Sequence, residues 1–199
     1  MKRRLIWTTL MALAGCEAAP SRVEQDRPDP RASSLALELF DADKSGALEA
    51  EELKQLPGLG SSVDALDADK NAALSSAEIQ TRLNQWVASK SGRITVSIIV
   101  TRDGKPAPGL DVKLIPEAFL KGTIVPAVGT TDERGIALPT QPESDDKPRG
   151  VGPGFYRVEV SGGTPPVAAK FNTATTLGLE VAPDSPALLG GAVKFDIGK

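Results

Sequence analysis

The sequence predicts an α+β protein of two modules, a compact set of short helices around two acidic loops followed by an antiparallel β-sandwich of about seven strands. Three observations predict it. One acidic phrase is written twice, as FDADKSGALEAEEL and LDADKNAALSSAEI. From Arg93 onward the apolar residues alternate with polar ones, which is the two-residue period of a strand with one buried face. Turn signals then recur at short intervals to the end of the chain, with almost no helical periodicity between them.

Composition narrows the chemistry. A chain of 199 residues, 40% apolar and 25% charged, has the make-up of ordinary globular protein. It contains no His and a single Cys, Cys16, so no Cys-His metal site, intrachain disulfide or His-dependent catalytic triad can be built. No Ser, Lys or Tyr sits in a recognisable nucleophile motif, and the expectation is that the chain is not an enzyme. Residues 34–90 carry ten acids against five bases, whereas residues 91–199 carry twelve of each. With no basic face, nucleic acid is not an expected partner.

Residues 1–15 combine a basic start (Lys2, Arg3, Arg4) with a short apolar run from Leu5 to Ala14, the pattern of a secretory signal too short to span a bilayer. The ending LAGC resembles the lipobox of bacterial lipoproteins. That resemblance implies cleavage before Cys16, acylation of its thiol, and a membrane anchor at the cell envelope, either on the outer side of the inner membrane or in the outer membrane. Glu17 follows the Cys where some inner-membrane lipoproteins carry Asp, which leans toward the outer membrane. The alternative is an ordinary signal cut near Ala18 or Ala19. Residues 16–33, with Pro20, Pro28 and Pro30 among charges, read as an extended tether.

In residues 34–90 the two phrases align with Asp41, Asp43 and Glu52 over Asp67, Asp69 and Glu78. Each resembles the twelve-residue EF-hand loop, in which positions 1, 3, 5, 9 and 12 offer side-chain oxygens and position 7 a carbonyl. The resemblance implies up to two Ca2+ ions. The first would lie on Asp41, Asp43, Ser45, the Ala47 carbonyl, Glu49 and Glu52, and the second on Asp67, Asp69, Asn71, the Ala73 carbonyl, Ser75 and Glu78. An all-oxygen donor set selects a hard cation. Gly46 supplies the left-handed backbone needed at position 6, whereas Ala72 stands there in the second loop at a cost of about 1–2 kcal/mol, so the second site is expected to be weaker. Leu48 and Leu74 share position 8, where paired loops exchange backbone hydrogen bonds.

Around the loops, Leu35, Leu39 and Phe40 predict an apolar helical face entering the first, Leu53 and Leu56 one leaving it, and Pro57-Gly58 a stop. An abbreviated helix at Val63 to Leu66 enters the second loop. Ile79, Leu83, Trp86 and Val87 predict one face of a final helix over 77–89, with Trp86 in the core.

Beyond Arg93, strands are predicted at 93–100, around Val112 and Leu114, and over 123–128, 136–138, 155–160, 168–172, 177–181 and 192–197. The phrases VTRDGKPAPGLDVKLIP, GTTDERGIALP, GPGFYRVEV and AKFNTATTLGLEV are similar to bacterial carboxypeptidase regulatory-like domains, which implies a transthyretin-like sandwich over residues 91–199 and no catalysis. Tyr156 reads as a buried ring with its hydroxyl on nearby backbone. Glu143, Asp145 and Asp146 read as a solvated loop.

The functional expectation is a calcium-binding cell-envelope lipoprotein whose sandwich serves as a binding or scaffolding module for an unknown envelope protein or polymer. A dockerin-like assembly module, or an accessory subunit of an envelope polymer-processing enzyme, remain the alternatives. Glu52 and Glu78 stand where dockerins usually carry Asp.

Overall fold

The computed structural model describes residues 26–142 and 149–198; the expected signal, Cys16 and the acids Glu143, Asp145 and Asp146 lie outside them. Helix α1 (Ala32–Phe40) leads into the first acidic loop, which contains β1 (Ala47–Leu48) and runs into the one-turn α2 (Ala50–Leu53). Two further single turns follow, α3 (Pro57–Gly60) and α4 (Val63–Leu66), and then the second loop with β2 (Leu74–Ser75) and the long α5 (Ser76–Ser89). A Ser-x-x-Glu capping box starts α5, the Ser75 N–H donating to Glu78 Oε2 at 2.9 Å and the Glu78 N–H to Ser75 Oγ at 3.3 Å.

Two details of the helical reading are corrected. Leu39 is 57% exposed, and α1 instead buries Ala32, Ser33 and Ala36, because small residues let it lie close to α5 and to the 3-10 turn at Ala118–Leu120. Pro57 and Gly58 do not only stop a helix. Pro57 occupies the first turn of α3, where its missing N–H costs nothing.

The rest is sheet. Strands β3 (Ile98–Arg102), β4 (Lys105–Pro106), β7 (Ile136–Ala137) and β10 (Val193–Asp196) form one sheet, and β6 (Ala127–Thr130), β5 (Leu110–Pro116), β8 (Gly154–Gly162) and β9 (Gly178–Val181), in that order, the other. The architecture is mixed α+β with mainly antiparallel sheets, compatible with a sandwich and closed into no barrel. β10 departs from the antiparallel expectation: after α6 (Pro186–Leu189) the chain returns along β3 in the same direction, Val193 opposite Ile98 and Asp196 opposite Thr101.

The alternation from Ile94 holds in burial, with Val96, Ile98 and Val100 inside, although regular pairing begins only at Ile98. The strand expected at 123–128 is displaced to Ala127–Thr130. The one expected at 168–172 is a 3-10 turn at Ala169–Phe171, since its residues find no neighbouring strand to pair with.

Both parts of the chain share one apolar core. Leu48, Leu56, Leu59, Leu74 and Trp86 are continuous with Ile98, Val112, Phe155 and Tyr156. The Trp86 ring, 1% exposed, meets Phe155 at 4.6 Å between centroids. The Tyr156 hydroxyl, fully buried, donates to the Gly152 carbonyl at 2.8 Å, as the sequence suggests. Among the described residues no helix is long and apolar enough to cross a membrane.

Candidate metal centre

The two acidic loops lie side by side because β1 and β2 pair antiparallel, Leu48 opposite Leu74 and Ala47 opposite Ser75. Both leucines are fully buried, so the pairing is clamped by core packing as well as by backbone. Each loop then folds its acids inward. Asp41, Asp43 and Glu52 present carboxylate oxygens that all lie within 4.8 Å of one another, and so do Asp67, Asp69 and Glu78.

Backbone N–H groups hold these acids, and the wiring of the two loops corresponds residue by residue. Asp41 accepts from the N–H of Ser45 at 3.0 Å and of Gly46 at 2.9 Å; Asp67 accepts from Asn71 at 3.1 Å and Ala72 at 2.8 Å. Asp43 and Asp69 accept a second time from the same Ser45 and Asn71 N–H groups. Glu52 reaches back across its loop to the N–H of Ala42 at 2.7 Å and of Glu49 at 3.1 Å, and Glu78 does the same to Ala68 and Ser75, both at 2.9 Å. Gly46 has φ +90° and Ala72 φ +64°, so the alanine takes the left-handed conformation that its loop position demands.

The remaining expected ligands divide. In the first loop the Ser45 hydroxyl donates to Glu49 Oε1 at 2.7 Å, with the Ala47 carbonyl 3.1 Å away, which gathers these three positions together. In the second, Asn71 uses its amide on Asp69 Oδ2 at 3.0 Å and accepts from the Ala73 N–H at 2.8 Å. Ser75 is taken up by the helix cap, its hydroxyl donating to Glu78 Oε2 at 2.8 Å. In both loops the fifth and ninth positions are thus engaged in internal bonds, Glu49 capping α2 as Ser75 caps α5.

The electrostatics follow from this wiring. Burial alone would push Glu52, Asp67 and Glu78 up, yet the N–H donors outweigh it and hold all three below the ordinary carboxylate range. Glu52, Asp67 and Glu78 are therefore ionised at neutral pH. Oxygens around a calcium ion stand 2.3–2.6 Å from it, so a triad spread over less than about 5 Å fits around one such ion. Among the described residues no other group of three or more acids gathers in this way.

The joint between loops and sheets carries chemistry that spacing does not announce. Arg82, one turn beyond Glu78, meets Glu180 Oε1 at 2.5 Å and grips Asp184 with both terminal nitrogens at 2.8 and 2.9 Å. Glu117, 3% exposed, accepts the Gly58 N–H at 2.6 Å. An isolated acid before a 3-10 turn gives no motif by which to find it.

No family model, no curated protein and no solved structure matches this chain.

Proposed function

We propose that the chain is a calcium-binding lipoprotein of the cell envelope, in which two EF-hand loops hold Ca2+ as a structural ligand and the transthyretin-like sheet region serves as a binding or scaffolding surface. The observation that carries the reading is the matched wiring of the loops: in both, the acid at the first position and the glutamate at the twelfth are held by N–H groups of corresponding residues. Two turns that were merely acidic would have no reason to share it.

Asp41, Asp43 and Glu52, with Ser45, Ala47 and Glu49 beside them, would hold the first ion. Asp67, Asp69 and Glu78, with Asn71, Ala73 and Ser75, would hold the second. A bound divalent cation neutralises carboxylates that otherwise repel, and it stabilises the folded chain by mass action. Outside the cytosol, sites as weak as about 10⁻⁴–10⁻³ M still fill, which favours a structural ion over a signal. The anchor rests on LAGC and Cys16, and an acylated N-terminal peptide found by mass spectrometry would establish it.

Calorimetric titration of the full chain with CaCl2 tests the metal reading. Two sites of unequal affinity are expected, and Glu52→Gln abolishes the tighter one. Absence of heat at millimolar calcium refutes the proposal.

A further inference from the structure

We propose that a cavity between the helical segment and the sheets binds a small anionic amphiphile, its head on Arg157 and Lys121 and its apolar body against Phe40, Ile115, Ile124 and Val125. The cavity measures about 550 Å³, within the range that takes a drug-sized ligand, and it lies where two structural units meet, a common place for such sites. Phe40, the last residue of α1, and Gln55 close it from the helical side; Ile115 at the end of β5 and the segment 116–126 form its other walls. Val125 is 39% exposed, an apolar side chain at the mouth.

Charge selects the ligand. Arg157 on β8 gives one nitrogen to Glu159 at 3.1 Å, and a guanidinium has five N–H donors, so others are left for a carboxylate or sulfonate. Lys121 adds a second cation on the rim. The acid on this wall is Glu117, whose Oε1 takes the Gly58 N–H. Burial, opposed by that hydrogen bond and by Arg157, pushes it up to about 7, so in mildly acidic solution it carries a proton; Glu159 then offsets one of the two cations and the site keeps an excess of positive charge. An amphiphile with a cationic head would meet Arg157 and Lys121 instead. The proposal does not depend on what the acidic loops hold.

The test compares two fluorescent probes that differ by one sulfonate, 1-anilinonaphthalene-8-sulfonate and N-phenyl-1-naphthylamine, titrated into the full chain at pH 6. The sulfonate probe is expected to saturate one site and bind at least about tenfold more tightly than the neutral one. Arg157→Gln is expected to remove most of that preference while leaving the neutral probe unchanged. Should Arg157→Gln not fold, Lys121→Gln on the exposed rim reads the same preference, reduced by a smaller factor. Equal affinities for the two probes, or an unchanged preference in a folded Arg157→Gln chain, overturns the proposal.

Discussion

The indole N–H of Trp86 donates to Glu180 Oε1 at 3.0 Å, the same oxygen that Arg82 Nε meets at 2.5 Å. Trp86 and Arg82 lie one turn apart on α5, and Glu78 one turn earlier still, so a single stripe of the helix runs from the second acidic loop to β9. Glu180 is 2% exposed, and its other oxygen is buried without a hydrogen-bond partner among the described residues. A buried carboxylate is retained at such a cost only while both donors face it.

Replacing Glu180 is therefore expected to be costly. Glu180→Ala takes this acceptor from both the Trp86 N–H and Arg82 Nε in a buried setting, leaving Arg82 with Asp184 and Gln85, a loss of about 2–4 kcal/mol in urea denaturation. Asp184→Ala, at the exposed end of the same network, is expected to cost about 1 kcal/mol or less. Equal losses would show that the buried oxygen is not the anchor.

Close backbone contact at the joint gives a second expectation. A Cβ added at Gly178 would lie 1.7 Å from the Pro57 carbonyl oxygen, and one at Gly58 would lie 2.6 Å from the Tyr156 nitrogen. Neither neighbour is a side chain that can swing away. Gly178→Ala is expected to destabilise by about 3 kcal/mol or more, whereas Gly190→Ala, with open space around it, changes the melting temperature little.

Glu117 predicts a pH dependence. Its folded value, about 7, lies above the ordinary 4.5, so between those values the folded chain keeps a proton that the unfolded chain has lost. Its contribution is intact below about pH 4.5 and declines as pH rises toward 7, by about 3 kcal/mol in all. Glu117→Gln removes that decline, seen as a flatter plot of unfolding free energy against pH than the parent over this window. Glu52, Asp67 and Glu78 act oppositely, since their depressed values withdraw stability only as pH falls below the ordinary carboxylate range.

Ala72 provides the last prediction. Its φ of +64° costs a side-chain residue about 1–2 kcal/mol that glycine does not incur. If the second loop holds calcium as proposed, Ala72→Gly is expected to tighten it by up to about tenfold in calorimetry and to leave the first loop unchanged. A second site unmoved by the substitution would mean that its smaller number of carboxylates, with Ser75 where the first loop has Glu49, sets its weakness instead.

Much of this molecule is written locally. Asp41, Asp43 and Glu52 fall within one twelve-residue stretch, so their spacing and the turn residues between them suffice to predict that they converge. The alternation at Val96, Ile98 and Val100 and the burial of Ile79, Leu83 and Trp86 are legible for the same reason: each is a period along one element. Leu39 misled because an apolar residue near a helix end satisfies a pattern without being covered.

Sequence alone determined the two acidic loops, their pairing at Leu48 and Leu74, the alternating strands and the absence of histidine chemistry. Only the tertiary structure decided that Trp86 and Arg82 share one oxygen of Glu180, that Gly58 and Gly178 let α3 settle onto β8 and β9, that β10 runs parallel to β3, and that Glu117 is buried beneath Gly58 beside a cavity. These are contacts between residues far apart in the chain. No short period encodes them; close packing of complementary surfaces selects them once the local elements exist.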